Sequence, residues 1–402
     1  MPDRAEIRVI EPDEVDAWCE GEWMSWGYPQ GGAWRGVLAG AELAAATDGG
    51  RLIGGTATVS FLLTVPGAAV PAAGIASAWV SPARRGEGLF RRLIERQLEG
   101  LTERGVPAAV LVASEPAIYR PFGFGTATLA AQLRIDSSSR SGPLEGDGGG
   151  VRLAGRDEGV RSATAVYERV RPGVPGMLSR DEAWWAYSYP EGETDENSPV
   201  LFALAADGVD AEGFAAYSVR DGWTDDGRPD NTLVLHELVA ETPGAYTTLW
   251  SFCLGLALCN RIEADNRPVD EPLTHVVGAP EKVRQSTVDG LHLRVLDVGA
   301  LLSGRRYSAT DELVLAVRDE AGAWAHGKWL VEGGPAGAAC EPTGREPDVA
   351  LEVGSLACVY LGASSFEALR RAGMVEELRP GAVRRADALF SWTPAPWLSW
   401  DY

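Results

Sequence analysis

The stretch Gly74–Gly105 constrains the fold of this 402-residue chain more than any other, because it joins three different patterns without a break. A short apolar run from Gly74 to Val80 predicts a strand, and a turn at 84–88, Arg-Arg-Gly-Glu-Gly, follows it. After the turn, apolar side chains recur three and four positions apart, which predicts a helix with one buried face. Gly105 and Pro107 supply the signals that end this helix.

A strand, a glycine-rich turn and a helix start in this order can form a binding site for an anion. Backbone N–H groups point out of such a turn, and the first turn of a helix carries partial positive charge. Glycines let a ligand approach the backbone closely, and arginines neutralise its charge. A pyrophosphate meets this description. Taken alone, the pentapeptide favours a plainer alternative, an exposed arginine turn that caps an amphipathic helix.

The segment after the helix adds a second strand and then a more specific motif. Residues 108–113 predict another buried strand, and residues 114–125 have the sequence SEPAIYRPFGFG. Together with VSP at 80–82 and RGEGLF at 85–90, they resemble the GCN5-related N-acetyltransferases (GNAT), in which a core strand ends in V-x-P and leads into an R-x-x-G-x-G/A loop for acyl-CoA. Phe90 departs from the usual small last residue of that loop, but it still offers a backbone N–H.

The motif around Tyr119 resembles one branch of that superfamily, the enhanced-intracellular-survival (Eis) acetyltransferases, which act on aminoglycosides and other amines. In that branch the tyrosine that matches Tyr119 is the general acid that returns a proton to the CoA thiolate. The branch also ends in an aromatic residue whose main-chain carboxylate takes part in catalysis. This chain ends in Trp400-Asp401-Tyr402, so the resemblance implies catalytic roles for Tyr119 and Tyr402.

The resemblance implies an α/β (α+β) architecture: tandem GNAT folds with mixed, splayed central sheets, then an α+β domain similar to sterol carrier proteins. We expect a catalytic domain over 1–135, a Ser/Gly-rich flexible linker over 136–150, a second GNAT domain over 151–290 and the carrier-like domain over 291–402. The turn of the second GNAT domain, at 241–246, has no arginine and one glycine. We therefore expect that domain to be degenerate and structural.

The resemblance also implies that acetyl-CoA is the cosubstrate. Backbone amides at the end of the first core strand would polarise the thioester carbonyl, and the turn and helix start would hold the pyrophosphate. The residues expected to bind acetyl-CoA are Ala78, Trp79, Val80, Arg84, Arg85, Gly86, Glu87, Gly88, Leu89, Phe90, Arg91, Ser114 and Glu115.

The acceptor site is expected where the first helix and its loop bring aromatic side chains and carboxylates together. Aromatic walls with a few acids suit a cationic amine through cation–π and charge attraction. The candidates for this site are Asp16, Trp23, Trp26, Trp34 and, at the chain end, Asp401. For any single indole, packing within the domain or at an interface is the simpler alternative.

Charge and composition narrow the classes of partner. The 36 basic and 57 acidic residues give a formal charge of −21, which argues against nucleic acid and favours cationic acceptors, although acidic surfaces are also common in soluble bacterial enzymes. The five cysteines and four histidines have no metal-ligand spacing, so no metal is expected. No apolar run approaches the roughly 18 residues of a membrane span, and the N-terminus lacks a signal-peptide pattern. We expect a cytoplasmic protein with no membrane partner.

The last twelve residues, SWTPAPWLSWDY, contain three tryptophans and a tyrosine, and two prolines stiffen their path. This composition predicts a docked tail, unlike the frayed end of an ordinary chain. Docking would place the Tyr402 α-carboxylate in a partly desolvated pocket, where its pKa would rise from roughly 3.5 towards useful basicity. Without the resemblance, an aromatic plug at an interface would be the preferred interpretation.

Three functions stay open at this level. The first is an N-acetyltransferase of small cationic amines such as aminoglycosides, with Tyr119 as general acid and the Tyr402 carboxylate as base. The second directs the same chemistry at protein lysines or at one dedicated small amine. The third is a lipid-binding protein with a vestigial acetyltransferase part, and the intact Arg85/Gly88 loop argues against it. By resemblance the protein is a homo-oligomer, a hexamer built from trimers.

Overall fold

The computed structural model of the chain describes residues 5–28, 31–137, 150–191, 199–206 and 210–402. These residues form two compact units. The first contains the described residues up to Ala127, together with Leu291–Trp392 and Tyr402. The second contains Thr128–Gly290 and Thr393–Asp401. The tail before Tyr402 is therefore part of the second unit.

The N-terminal part of the first unit contains six strands and three helices in the order β1-α1-α2-β2-β3-β4-α3-β5-β6. Its strands are β1 (Glu6–Val9), β2 (Glu42–Asp48), β3 (Arg51–Val65), β4 (Ala68–Val80), β5 (Ala108–Val112) and β6 (Gly125–Thr126), and its helices are α1 (Val15–Trp26), α2 (Gly32–Leu38) and α3 (Leu89–Glu103). The helix predicted after the glycine-rich turn is α3. Its apolar face is buried, as the three-and-four spacing predicts, at Leu89, Leu93, Ile94, Leu98 and Leu101.

The second unit is built around one sheet of seven strands. Its strands are β7 (Leu129–Asp136), β8 (Gly150–Ala154), β9 (Leu201–Ala206), β10 (Ala211–Arg220), β11 (Asn231–Ala240), β12 (Cys259–Pro268) and β13 (Val283–Asp289), and its helices are α4 (Arg156–Val170), α5 (Glu182–Ser188), α6 (Pro243–Gly255) and α7 (Leu273–Val276). The strand order is β13-β7-β12-β11-β10-β9-β8. Leu249 and Trp250 of α6 pack in the core against Leu233 and Leu235 of β11.

The C-terminal part of the first unit supplies one strand to the N-terminal sheet and forms a second sheet. Its strands are β14 (Leu291–Val295), β15 (Asp311–Arg318), β16 (Gly327–Gly334), β17 (Gly337–Pro342), β18 (Val349–Glu352) and β19 (Val375–Glu377), and its helices are α8 (Val298–Ser303), α9 (Val353–Tyr360), α10 (Phe366–Arg371) and α11 (Ala382–Phe390). The N-terminal sheet has the order β1-β2-β3-β4-β5-β14-β6, and the second sheet β17-β16-β15-β18-β19.

Two strands pair with partners that the sequence patterns did not suggest. We expected residues 1–135 to form the catalytic domain, but β7 lies between β12 and β13 in the sheet of the second unit. We expected the carrier-like domain to begin at residue 291, but β14 lies antiparallel between β5 and β6 of the N-terminal sheet. Local alternation predicts that a segment is a strand but not which distant strand it joins. The expected linker lies mostly outside the described residues, since Asp136 ends β7 and Gly150 begins β8.

Helix α1 lies close against the N-terminal sheet because glycines remove the side chains that would keep them apart. A Cβ atom on Gly21 of α1 would lie 2.3 Å from the Trp79 ring of β4, and one on Gly55 of β3 would lie 2.3 Å from Trp18. Trp18 and Trp79 meet edge to face, with ring centroids 5.8 Å apart. This contact fixes the position of α1 relative to the end of β4.

The contact predicts the effect of adding one methyl group at Gly21. Gly21→Ala should lower the unfolding free energy by about 1–3 kcal/mol, because the new Cβ overpacks against Trp79. Gly36→Ala is the matched control: Gly36 also lies in a helix, and its Cβ would meet nothing within 4 Å. That variant should be neutral or gain up to about 1 kcal/mol from helix propensity. Urea unfolding measures the change in stability of each variant relative to the wild type. Equal changes in the two variants would contradict the packing argument.

Candidate active site

The strands β4 and β5 run parallel but stay together over a very short distance. They pair only at Ala73–Ala109 and Gly74–Val110, although β4 continues to Val80 and β5 to Val112. On the other side of β4, the pairing with β3 shifts register next to Ala57, so that Ala76 has no partner on β3. Beyond Gly74 the edge of β4 that would face β5 is therefore available for a ligand's hydrogen bonds.

The turn after β4 is held by the first of its two arginines. The Arg84 side chain donates to Asp48 at 2.8 Å and to Glu87 at 2.8 Å, and this pairing lowers the pKa of the Glu87 carboxyl. Arg85 is exposed, and among the described residues its guanidinium makes one long hydrogen bond, 3.4 Å to the Ser25 carbonyl. Arg84 thus shapes the turn, while Arg85 has N–H groups to offer an anion.

The glycines of the turn and the start of α3 complete this cradle. Gly86 and Gly88 have φ of +85° and +75°, values that favour glycine, and a Cβ on either would meet nothing within 4 Å. Gly88 caps α3 without a side-chain hydrogen bond, so the N–H groups of the first turn are not used by a capping side chain. Leu89 is buried, Phe90 half-buried and Arg91 exposed. This geometry suits a pyrophosphate.

The corresponding turn of the second unit offers fewer N–H groups to an anion. At the start of α6 the Thr242 side chain accepts a hydrogen bond from the Ala245 N–H at 3.2 Å. Pro243 occupies the first helical position and has no N–H to offer. Two groups that could bind an anion are therefore satisfied or missing, which agrees with the absence of arginine from the sequence of this turn.

Tyr119 lies half-buried between two short 3-10 turns, Pro116–Ile118 and Arg120–Phe122. Its ring packs edge to face on Phe90, with centroids 5.5 Å apart, and on Phe124, at 5.8 Å. Burial raises the pKa of Tyr119 to about 12. The phenol therefore stays protonated near neutral pH and can donate a proton there, but it cannot act as a base. The large side chain of Phe90, which departs from the GNAT pattern, forms one of the walls that hold it.

Tyr402 lies in the same unit as Tyr119. Its ring is 5.0 Å from that of Phe61 on β3, edge to face. Phe61 in turn covers Gly74, where a Cβ would lie 2.4 Å from the Phe61 ring. Burial raises the pKa of the Tyr402 phenol well above its usual value, and the neighbouring Tyr119 phenol raises it further. The ring of the last residue thus packs on the side chain that covers Gly74, where the β4–β5 pairing ends, and its phenol interacts electrostatically with that of Tyr119.

The predicted acceptor residues are in different environments. Trp23 and Trp26 of α1 are 47% and 42% exposed. Asp16 is exposed and pairs with Arg35. Trp34 is buried and donates its indole N–H to Glu22 at 2.8 Å. Of these four, only the two exposed indoles present aromatic surface to solvent.

The other predicted residues lie where their strands end. Ala78 and Val80 are half-buried and Trp79 is buried at the end of β4, while Ser114 and Glu115 are exposed just after β5. Asp401 is exposed and belongs to the second unit.

Glu22 is a buried carboxylate of α1 that is not among the predicted acceptor residues. It is 2% exposed, and it accepts hydrogen bonds from Trp34 and, at 2.5 Å, from the Ser77 hydroxyl of β4. Loss of solvent raises its pKa, and the two hydrogen bonds oppose this shift. One signal was present in the sequence: Glu22 follows the buried Trp18 by four residues, so it shares the inner face of α1.

Two classes of site are not found in the part of the chain that the structure describes. There, no group of three or more His, Cys, Asp and Glu side chains is arranged to hold a metal ion. No helix within the described ranges combines the length and apolar character that a bilayer crossing requires.

Comparison with known proteins identifies three domains in this chain. The acetyltransferase (GNAT) domain family matches residues 6–127 and, through a second family of the same description, residues 176–295. The sterol carrier protein domain family matches residues 298–399. These matches confirm the predicted fold class, tandem GNAT folds followed by a sterol-carrier-protein-like domain.

Several whole proteins are similar over nearly the full length. An uncharacterised N-acetyltransferase of Streptomyces avermitilis is 38% identical, over 87% of each chain. The N-acetyltransferase Eis of Mycobacterium tuberculosis is 31% identical, over 86% of this chain and 85% of the relative. The crystal structure of Eis1 from Mycobacterium abscessus superposes with a TM-score of 0.87 at 30% identity and covers 99% of this chain and 100% of that one. The chain therefore belongs to the Eis-like branch of the GNAT N-acetyltransferases, enzymes whose fold implies acetyl-CoA as the cosubstrate.

Proposed function

We propose that this enzyme transfers the acetyl group of acetyl-CoA to an amine of a small cationic acceptor, of which aminoglycosides are the model class. The observation that carries the proposal is the neighbourhood of Tyr119 and Tyr402 over the end of the β4–β5 pairing. Direct acetyl transfer to an amine uses a general acid and a general base at one thioester, and Tyr119 and the Tyr402 α-carboxylate are the groups that we propose for these roles.

In the proposed reaction the acceptor nitrogen must be uncharged before it attacks the thioester carbonyl. The Tyr402 α-carboxylate, directly or through a water molecule, takes the proton that the nitrogen loses. The backbone amides of Ala78–Val80 polarise the carbonyl. As the C–S bond breaks, the Tyr119 phenol donates its proton to the thiolate sulfur, and solvent later restores it. No covalent bond to the protein forms in this scheme.

The preference for a cationic acceptor rests on charge and on aromatic surface. The chain carries a formal charge of −21, which attracts polycations over distances longer than a contact. The exposed Trp23 and Trp26 rings offer cation–π surfaces, and Asp16 on the same helix adds a carboxylate. The environment that we propose for the enzyme is the cytoplasm, and its proposed assembly is a hexamer built from trimers.

Arg85 is the proposed pyrophosphate ligand, and its removal tests the cradle. Arg85→Ala should raise KM for acetyl-CoA about 10–100-fold and change kcat little, because a charge-assisted hydrogen bond to a phosphate is lost in ground and transition states alike. Arg96→Ala on the exposed face of α3 is the matched control, since it removes the same charge without touching the turn. Steady-state kinetics give KM for acetyl-CoA in both variants. Equal KM values would contradict the assignment of Arg85 as a pyrophosphate ligand.

The acceptor class is tested by incubating the enzyme with acetyl-CoA and a panel of amines and by measuring the CoA thiol released. Several aminoglycosides and polyamines should be acetylated, whereas neutral and acidic amines should react slowly.

The proposed general acid is tested by removing its hydroxyl. Tyr119→Phe should lower kcat about 10²–10⁴-fold, which is the usual contribution of a general acid to the rate. Since burial raises the pKa of Tyr119 to about 12, the wild-type rate should not fall between about pH 8 and pH 10 through loss of this proton.

Two outcomes of the panel would contradict the proposal. Turnover of a protein lysine alone would assign the chemistry to a protein acceptor. An absence of thiol release from every amine, with acetyl-CoA bound, would leave an acyl-CoA-binding protein without this activity.

The position of the terminal carboxylate is tested by moving it. Adding one glycine after Tyr402 displaces the carboxylate by one residue, about 3.5 Å, while all native side chains stay. The expected result is a kcat lowered at least about 100-fold with unchanged binding of acetyl-CoA. Amidation of the unextended C-terminus by semisynthesis is the complementary measurement, because it removes the charge without moving the chain. Unaltered turnover in both proteins would exclude the carboxylate from the mechanism.

A further inference from the structure

We infer that the second unit contains a binding site for the chain's own tail, centred on Arg180 and Glu237, and that this site positions Tyr402 for catalysis. The inference rests on the proposed role of the Tyr402 carboxylate. It gives the degenerate GNAT domain a function of its own, as the receptor of residues 395–401.

Glu237 of β11 is the centre of the site. Its side chain is 1% exposed, and three donors converge on its carboxylate. Arg180 and the Tyr189 hydroxyl donate to one oxygen, at 3.0 Å and 2.6 Å, and the Ser399 hydroxyl of the tail donates to the other at 2.5 Å. A buried carboxylate needs several donors to offset its loss of hydration. One of the donors that satisfy Glu237 comes from the tail.

Arg180 lies in an aromatic cage that the tail completes. Its side chain is fully buried, and its guanidinium carbon lies 3.7 Å from the ring centroid of Trp185 and 4.8 Å from that of Trp400. Its Nε and Nη2 atoms have no hydrogen-bond partner among the described residues, so aromatic faces are what cover them. A desolvated guanidinium between indoles is a strong cation–π arrangement. One of those two indoles, Trp400, belongs to the tail.

Trp400 also makes contacts with side chains other than Arg180. Its indole N–H donates to the Tyr167 hydroxyl at 3.0 Å, and its ring packs on Trp184 at a centroid distance of 5.3 Å. Tyr167 is fully buried and donates its own hydroxyl hydrogen bond to the Leu178 carbonyl at 2.6 Å. The pocket for this indole therefore supplies an acceptor for its N–H and an aromatic ring against its face.

The tail is held upstream as well, which fixes its direction. The Trp397 N–H donates to the Pro175 carbonyl at 2.8 Å, and its indole N–H donates to Asn266 at 3.0 Å. The Ala395 N–H donates to the Asp270 carboxylate at 2.9 Å. With alternate tail residues bound along the second unit, the segment follows one path up to Trp400.

The covalent chain carries this restraint to the last residue. Tyr402 is two residues beyond Trp400, so its Cα can lie at most about 7 Å from the Cα of Trp400. Anchoring Ser399 and Trp400 thereby confines the terminal carboxylate without contacting it. Glu237 and Arg180 are positioning residues in this account, and neither touches the substrate.

Release of Tyr402 by carboxypeptidase A, followed by mass spectrometry, measures how often the tail leaves its site. Under limiting protease the cleavage rate follows the open fraction. Ser399→Ala should speed release about tenfold, since it removes one hydrogen bond to a buried charge. Ser399→Thr, which keeps the hydroxyl, should restore the wild-type rate. Ser399→Ala/Trp400→Ala should speed release about a hundredfold and lower kcat at least about tenfold, with KM for acetyl-CoA unchanged.

Three controls separate anchoring from general damage. Ser391→Ala removes the hydroxyl of the first tail residue, which lies ahead of residues 395–401 and among the described residues bonds to Ser308 and Ala388, and this change should alter neither rate. Synthetic peptides with each tail sequence correct for the protease's own preference. Far-UV circular dichroism and acetyl-CoA binding should match the wild type in every variant.

The outcomes distinguish this inference from the proposed function. Faster release together with lower kcat supports both. Faster release with unchanged kcat supports the receptor and overturns the catalytic role of the Tyr402 carboxylate. Release at the wild-type rate in the double variant overturns the receptor itself, whatever the kinetics show.

Discussion

The early separation of β4 from β5 is the constraint on which the site depends. Two parallel strands that pair at only two positions leave main-chain groups that a close-packed fold would otherwise satisfy within the sheet. A ligand that runs along β4 can supply the missing partners, and the pantetheine of an acyl-CoA has amides for this purpose. The open turn at Gly86 and Gly88 then lies at the end of the same strand, where the phosphates follow. The proposed mode of acetyl-CoA binding therefore depends on the strand topology before any side chain is considered.

Around this opening, loss of solvent sets the protonation states. Burial keeps the Tyr119 and Tyr402 phenols neutral, since an isolated phenolate would lose its hydration without gaining a counter-charge. The same effect acts on Glu22, whose donors are the neutral side chains of Trp34 and Ser77. The raised pKa of Glu22 means that burial disfavours its ionised form. The folded state therefore loses stability from this group as the pH rises through that pKa. Glu22 joins α1 and α2 to β4 beside the register shift.

How much the sequence predicted depends on how local each feature is. The turn at 84–88, the helix after it and the Tyr119 segment are close together in the sequence. Their local patterns were sufficient to predict the strand, the turn and the helix in the right order. The fold class followed from the resemblance that those residues carry. The partners of β7 and β14 were not predictable, because strand pairing across more than a hundred residues leaves no local trace. The Ser399–Glu237 contact spans 162 residues, and nothing near Glu237 marks it as a partner of the tail.

The second GNAT domain shows why a domain without its cofactor turn can keep costly polar groups. A buried ion pair is weak evidence for stability, since apolar residues of similar volume often serve as well or better. The Arg180–Glu237 pair has more polar groups than it satisfies by itself, and the deficit is met by a hydroxyl and an indole from the tail. Such a site discriminates, because a segment that docked without this hydroxyl and this indole would leave a buried carboxylate short of one donor and a guanidinium short of one aromatic face. Incorrect docking therefore carries the cost of an unsatisfied buried charge, and this cost favours the one path that leads to the position proposed for Tyr402.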